Sequence, residues 1–360
     1  MKALFVSGGT GGHVYPALAV ARRFKSSGAD IYWFGKKDSL EENICSKAGF
    51  SFNALRSSGF REKNFFQKII SIYYLLISFT KSFFLLIRIK PDFVISFGGY
   101  LSLGPGLASL ISRTPLFIHE QNSVPGSANK ILMSFAKIIF AGFPSSFNLE
   151  NPKILFVGNP VRKEIIKPVK TSEKDNSQNS FNLLVIGGSQ GSSQLNSIVI
   201  EALKEIEEIA NWKVIHQTGK RDKNKLIKLY RELNTTYKVK EFIDDMGEAY
   251  ENSDLVISRA GAMTVSELLA TKTPSILLPL PWSTDDHQLF NAKFLEDMGA
   301  AKVIISDKRN IKDLSKTIKQ LFFDEEKRNS MTNSAKLASI PDAVEIIFQK
   351  INESLQKDTK

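Results

Sequence analysis

The sequence predicts an α/β protein of two Rossmann-like domains facing each other, each built on a parallel sheet. Three observations predict it. Short, continuously apolar runs alternate with longer helical stretches from one end of the chain to the other, the pattern of parallel strands covered on both faces. The runs fall into two sets separated by a polar stretch. Each set opens with a strand, a glycine cluster and a helix, the clusters being Gly8-Gly9-Thr10-Gly11-Gly12 and Gly187-Gly188-Ser189-Gln190-Gly191.

In the first set, Ala3–Ser7, Ile31–Phe34, Phe93–Ser96, Leu116–His119 and Ile138–Ala141 read as buried strands, with Leu155–Val157 as a sixth. The second set is Leu183–Ile186, Lys213–Gln217, Val239–Phe242, Leu255–Ser258, Ser275–Leu278 and Lys302–Ile305. The stretch between them is rich in Lys, Ser, Asn and Asp and reads as a linker. The expected organisation is therefore a first domain over residues 1–163, a linker over 164–180 and a second domain over 181–341. A closing helix over 342–360, with apolar residues at Val344, Ile346, Ile347, Ile351 and Leu355, is expected to pack back on the first domain.

Residues 69–87 are almost wholly apolar, but Lys81 interrupts them, and the uncharged part, Ile69–Thr80, is too short to span a bilayer. One or two core helices fit this segment. So does a helix with a second, membrane-contacting face, because Arg61, Lys63, Lys68, Lys81, Arg88 and Lys90 surround it.

With 42% apolar and 24% charged residues among 360, the chain is globular rather than disordered. The net charge of +11 is unevenly placed. Residues 1–160 carry 18 Lys+Arg against 8 Asp+Glu, and the remainder carries 30 against 29. A basic half suits an anionic partner, whether phospholipid, nucleic acid or a phosphorylated substrate, although basic charge also serves solubility. A nucleic-acid partner is not expected, since the aromatics cluster with aliphatics over Phe65–Phe84 instead of interleaving with basic residues. Cys45 is the single cysteine, and His13, His119, His216 and His287 show no ligand spacing, so neither a disulfide nor a protein-built metal site is expected. The N-terminus enters a strand directly without a secretory signal pattern, which points to the cytoplasm.

Glycine turns between strand and helix let backbone N–H groups approach a diphosphate, where the helix dipole adds positive charge. The common cofactor motifs fail: residues 9–14 lack the third glycine of G-x-G-x-x-G, and neither G-x-x-x-x-G-K-[ST] nor Asp-x-Asp occurs. A third candidate site is Ser258–Glu267, where a strand ends and a helix begins near Thr264. Two roles fit Glu267: a capping box with Thr264, or a carboxylate accepting both hydroxyls of a ribose at the sheet edge.

Taken together, the motifs resemble one family closely. Residues 8–19, His119-Glu120-Gln121-Asn122, Gly158-Asn159-Pro160-Val161-Arg162, the second glycine cluster, Phe242–Met246, Ser258–Glu267 and His287–Ala292 are similar, in order and across nearly the whole chain, to the undecaprenyl-pyrophosphoryl-muramoyl-pentapeptide N-acetylglucosaminyltransferases. The resemblance implies the GT-B glycosyltransferase type of fold, with the two parallel sheets facing across a cleft. It also implies transfer of N-acetylglucosamine from UDP-N-acetylglucosamine to lipid I, giving lipid II with inversion, in peptidoglycan synthesis for cell-wall biogenesis and division. No cofactor is implied. The partners would be the UDP-sugar, the lipid I acceptor and an anionic membrane surface met through residues 61–90, with the enzyme peripheral on the cytoplasmic face of the inner membrane.

Carried over by position, Thr10, Gly11 and Gly12 would face the donor sugar or diphosphate, and Asn122, Arg162 and Ser189 would line the donor pocket. The Ile243 backbone would read uracil. Ala262, Met263, Thr264, Val265, Ser266 and Glu267 would hold diphosphate and ribose, with Glu267 on the ribose hydroxyls. Gln288, with His287, would contact the sugar hydroxyls; the family has two consecutive glutamines there, so the first position departs from the pattern. Two roles fit His13: general base for the acceptor hydroxyl, or a residue that only orients the acceptor. The diphosphate charge would be met by the helix start at Gly261–Thr264 and by Arg162 instead of a metal. The rival expectations are another UDP-sugar enzyme on this fold, either a glycolipid glycosyltransferase or a UDP-N-acetylglucosamine 2-epimerase, and a non-catalytic anion-binding protein.

Overall fold

The computed structural model describes the chain except residues 57–63, 167–180, 189–190, 207–211, 284–285, 306, 308–309, 339–341 and 359–360. The chain divides into two compact units, Met1–Arg162 with Ile340–Lys360, and Lys163–Ser339. Most of the expected linker lies outside the described residues.

The first unit runs β1 (Lys2–Val6), α1 (Gly11–Ser26), β2 (Asp30–Gly35), α2 (Leu40–Ala48), β3 (Ser51–Ala54), α3 (Phe65–Ile89), β4 (Phe93–Ser96), α4 (Leu103–Ile111), β5 (Leu116–Glu120), α5 (Ser127–Leu132), β6 (Ile138–Ala141) and β7 (Ile154–Phe156). Among the described residues seven strands form one parallel sheet in the order β3-β2-β1-β4-β5-β6-β7. Alternation along β1 sends Ala3 and Phe5 to one face and Leu4 and Val6 to the other, so each face carries its own core. On the first face Phe5 stacks on Trp33 and Phe97. The C-terminal helix (Ala343–Asp358), here α13, belongs to this face: Ile347 and Ile351 are fully buried in it. Arg23 of α1 grips Glu345 with two hydrogen bonds, at 2.6 and 3.1 Å, and lies over the Phe348 ring.

Strand β3 was not predicted. It is a four-residue edge strand of polar pattern, covered too little to need an apolar run. The segment expected as one or two helices is one 25-residue helix, α3, started by a capping box in which Asn64 and Gln67 exchange side-chain-to-backbone bonds. By length and composition the whole helix is long and apolar enough to cross a membrane, although its uncharged part alone is too short. Its C-terminal end packs Leu86 and Ile89 into the core, but the buried positions before them are serines. Ser71, Ser78 and Ser82 are buried, and the tight fit of Gly104 against Ser78 brings α4 close. Phe65, Phe66, Ile70, Tyr73, Leu76 and Phe84 are exposed.

The second unit runs β8 (Phe181–Ile186), α6 (Ser193–Lys204), β9 (Trp212–Gln217), α7 (Lys223–Arg231), β10 (Thr236–Lys240), α8 (Met246–Glu251), β11 (Leu255–Ser258), α9 (Ala262–Thr271), β12 (Ser275–Leu277), α10 (His287–Asp297), β13 (Ala301–Val303), α11 (Ile311–Phe323) and α12 (Glu325–Leu337). Among the described residues its six strands are all parallel, in the order β10-β9-β8-β11-β12-β13. The strand expected at Val239–Phe242 is centred earlier, on Thr236–Lys240, again at a sheet edge where the pattern is half polar. In both units the chain reverses direction across the sheet beside the first strand, between β1 and β4 and between β8 and β11. Ligands of open α/β sheets bind at such switch points, outside the carboxyl ends of the strands.

Candidate active site

The glycine cluster after β1 stands at the first unit's switch point. Gly9 has φ +107°, and Gly98 and Gly99 after β4 have φ +84° and +82°. A Cβ on Gly99 would lie 2.8 Å from the Gly8 carbonyl oxygen, so only glycine lets the two loops meet. Thr10 is the N-cap of α1 in extended backbone and its hydroxyl makes no capping bond. Gly11, Gly12 and His13 form the first turn, whose amides carry the positive end of the helix dipole.

The His13 ring sits against the Gly98–Gly99 loop and its Nδ1 lies 2.8 Å from Gln121 Oε1. Gln121 Nε2 lies 2.9 Å from His119 Nδ1, and His119 Nε2 lies 3.1 Å from the Gly158 carbonyl. His119 is wholly buried, and burial pulls its pKa down to about 4. Next to it, the buried carboxylate of Glu120 is saturated: Oε1 accepts from the Asn122 backbone and side chain, and Oε2 from the Gly126 amide and Asn129 Nδ2. Asn122, expected in the donor pocket, is thus tied to Glu120 and supports the 120–126 turn. Arg162 stacks its guanidinium on Tyr15, 4.2 Å from the ring centre.

In the second unit the loops after β8, β9, β10, β11 and β12 are cross-tied at the carboxyl edge of the sheet. Gln217 donates to the Gly188 carbonyl at 2.9 Å and accepts from the Ile243 amide at 3.0 Å. In the Ile243 backbone, expected to read uracil, the amide is engaged by Gln217. Ser189 lies outside the described residues. Arg259 is buried, and burial lowers it to about 10, still cationic at neutral pH. Its guanidinium donates to Ser192 Oγ, Gln194 Oε1 and the carbonyls of Leu278 and Pro279. It joins three loops and supplies fixed positive charge between them.

Helix α9 begins two residues earlier than expected, with Gly261 as N-cap and no side-chain cap. The capping box of Thr264 with Glu267 is therefore corrected: Thr264 stands in the first turn, and Glu267, one turn in, accepts from the Tyr250 hydroxyl at 3.1 Å. Since Gly261 offers no side chain, the amides of Ala262, Met263 and Thr264 are presented to whatever lies beyond the helix start. Val265 is spent on the core, fully buried with its amide on the Gly261 carbonyl, and Ser266 returns its hydroxyl to the Ala262 carbonyl. Gln288 lies in the first turn of α10, and its Oε1 accepts from the Leu280 amide at 3.0 Å. His287 opens the same helix.

The structure thus gathers Thr10, Gly11, Gly12 and His13 at one switch point and Ile243, Ala262, Met263, Thr264, Glu267 and Gln288 along the edge of the other sheet. Gln121, Glu120, Gln217, Tyr250 and Arg259 were not singled out from sequence. In the sequence Glu120, Gln121 and Arg259 stand inside the motifs, whereas Gln217 reads only as the end of a strand and Tyr250 carries no signal.

Residues 3–141 match the glycosyltransferase family 28 N-terminal domain, and residues 182–347 match the glycosyltransferase family 28 C-terminal domain. The fold and site therefore define a glycosyltransferase of this class. A UDP-N-acetylglucosamine–N-acetylmuramyl-(pentapeptide) pyrophosphoryl-undecaprenol N-acetylglucosamine transferase of Coxiella burnetii is 38% identical over 351 residues, covering 96% of this chain and 97% of the relative. One of Nitrosospira multiformis is 44% identical over 300 residues, covering 83% and 84%. The crystal structure of Acinetobacter baumannii MurG, 29% identical, superposes with a TM-score of 0.78 over 98% of this chain and all of that one. The chain belongs to the family of these N-acetylglucosamine transferases.

Proposed function

We propose that this enzyme moves N-acetylglucosamine from UDP-N-acetylglucosamine to the muramoyl 4-hydroxyl of undecaprenyl-pyrophosphoryl-N-acetylmuramoyl-pentapeptide, with inversion, at the cytoplasmic face of the membrane. The observation that carries the donor half is the start of α9 at the second switch point, with Glu267 one turn in and held by Tyr250. Uncapped amides take the diphosphate, the carboxylate takes the ribose hydroxyls, and the Ile243 carbonyl takes the uracil N3–H. Gln288 reads a sugar hydroxyl. His13 accepts the proton of the acceptor hydroxyl as its oxygen attacks the sugar C1. The C1–O bond to UDP breaks, and UDP leaves with the electron pair, its charge met by the α9 amides and by the fixed charge of Arg259.

The apolar face of α3 supports the membrane part of the reading. Phe65, Phe66, Ile69, Ile70, Ile72, Tyr73 and Leu76 make a contiguous exposed apolar patch of the kind that marks an interaction surface. Lys68, Lys81, Arg88 and Lys90 lie along and after this helix, and an apolar face with basic residues suits an anionic lipid surface. Helix α4, packed on α3, adds the exposed Leu110 and Ile111.

Labelled UDP-N-acetylglucosamine supplied with synthetic lipid I tests the assignment. The expected product is a disaccharide lipid with a β-linkage, formed equally well after chelation of divalent cations. Release of an epimerised UDP-sugar, or no product from lipid I, would overturn it.

A further inference from the structure

We infer that Gln121 is a positioning residue that holds His13 in its Nδ1–H form and so presents the lone pair of Nε2. The kinetic part of this inference rests on His13 being the base; the protonation pattern stands on geometry alone. The chain of hydrogen bonds is anchored at an atom with a single role. The Gly158 carbonyl only accepts, so His119 Nε2, 3.1 Å away, carries a hydrogen. His119 is buried, and its lowered pKa keeps one proton on the ring at neutral pH, so its Nδ1 accepts. The donor to that nitrogen is Gln121 Nε2 at 2.9 Å, which also faces the His119 carbonyl at 3.3 Å. A reversed amide would set oxygen against two acceptors, so the orientation is fixed. Gln121 Oε1 then accepts from His13 Nδ1 at 2.8 Å, which leaves Nε2 of the neutral ring unprotonated.

This arrangement differs from a carboxylate-oriented histidine in one physical respect. A neutral amide orients the ring and selects the tautomer without adding a negative charge beside it. The direction of the relay is set by a backbone carbonyl 39 residues from His119 in sequence, and Asn159 secures the same turn by donating to the Gln121 carbonyl at 3.0 Å.

Nitrogen-15 NMR of the full-length protein labelled at histidine, with His13 assigned through the spectrum of His13→Ala, reads the tautomer directly. The expected wild-type signal is a protonated Nδ1 and an unprotonated Nε2. In Gln121→Met, which keeps the side-chain length and removes the acceptor, the ring shifts toward Nε2–H. Its kcat falls by about ten-fold or more while the KM for UDP-N-acetylglucosamine stays within about two-fold. A wild-type Nε2–H signal overturns the inference, and an unchanged kcat in Gln121→Met overturns its kinetic part. The His13→Ala enzyme separates the two claims, since undiminished turnover there removes the base reading while the NMR result still decides the tautomer.

Discussion

Two buried histidines make acid a specific threat to this fold. His119 lies in the relay to His13. His216 holds Tyr230 at 2.9 Å through Nδ1 and Asn196 at 3.1 Å through Nε2, so its neutral ring is bonded at both nitrogens. Burial lowers their pKa values to about 4 and about 3. The unfolded chain, titrating near 6.5, takes up protons that the folded chain refuses. Stability is therefore full above about pH 6.5 and is lost as pH falls toward 4, by roughly 2 kcal/mol in each unit between pH 7 and pH 5. Urea titrations at the two pH values measure this; equal midpoints would contradict it. Glu267 and Tyr250 make a second residue-level case. If Glu267 takes the ribose hydroxyls as proposed, Glu267→Gln replaces a charged acceptor with a neutral amide, and the KM for UDP-N-acetylglucosamine is expected to rise about ten- to hundred-fold. Tyr250→Phe removes one hydroxyl that donates to the carboxylate, and the rise is smaller, roughly three- to ten-fold. A 2′-deoxyribose donor is the check: if the variants handle it as much worse than wild type as they do the natural donor, the carboxylate is not on the ribose.

At the scale of elements, α3 is explained by its surroundings and not by helix propensity. The same residues would serve as a buried core helix if their faces were exchanged. The observed placement puts Phe66 and Tyr73 largely in solvent, 76% and 61% exposed. Burying such a side chain in lipid gains roughly 1.5–3 kcal/mol. Phe66→Ser with Tyr73→Ser is therefore expected to weaken sedimentation with anionic vesicles by at least about ten-fold. Turnover of a short-chain, water-soluble acceptor would be retained. Vesicle binding unchanged by both substitutions would remove α3 from the membrane contact. The elements also divide by how legible they were. Central strands such as β1, β4, β8 and β11 are buried on both faces and announce themselves as apolar runs. Edge strands β3 and β10 meet the core on one face, so one was missed and the other was placed too late. The glycine clusters were legible because their turns need glycine locally, with positive φ at Gly9, Gly188 and Gly191. The side chains that complete the site were not, because fold alone joins them. His13 and Gln121 are 108 residues apart, and Arg259 and Ser192 are 67 apart.

Across the whole molecule the chain path decides what depends on what. The first unit is discontinuous: it is left at Arg162 and resumed at Ile340, with the second unit as a continuous stretch between. The first sheet's core therefore stays unfinished until the last residues are in place, since Ile347 and Ile351 of α13 are fully buried against it. Losing two buried isoleucines costs about 4–8 kcal/mol, comparable to the total stability of many domains. The second unit's own core contains no residue of α13. Ending the chain at Ser339 should consequently lower the unfolding temperature of the first unit sharply and leave that of the second nearly unchanged. Trp33 and Trp212, each fully buried in a different unit, report the two events separately once the exposed Trp282 is replaced by Phe. In the truncated protein the Trp33 transition moves down by tens of degrees or is absent at room temperature. The Trp212 transition persists and still shifts upward with added UDP, because a ligand stabilises the unit that binds it. If both transitions fell together, the second unit would owe its stability to the first, and the donor site could not be treated as the property of residues 163–339.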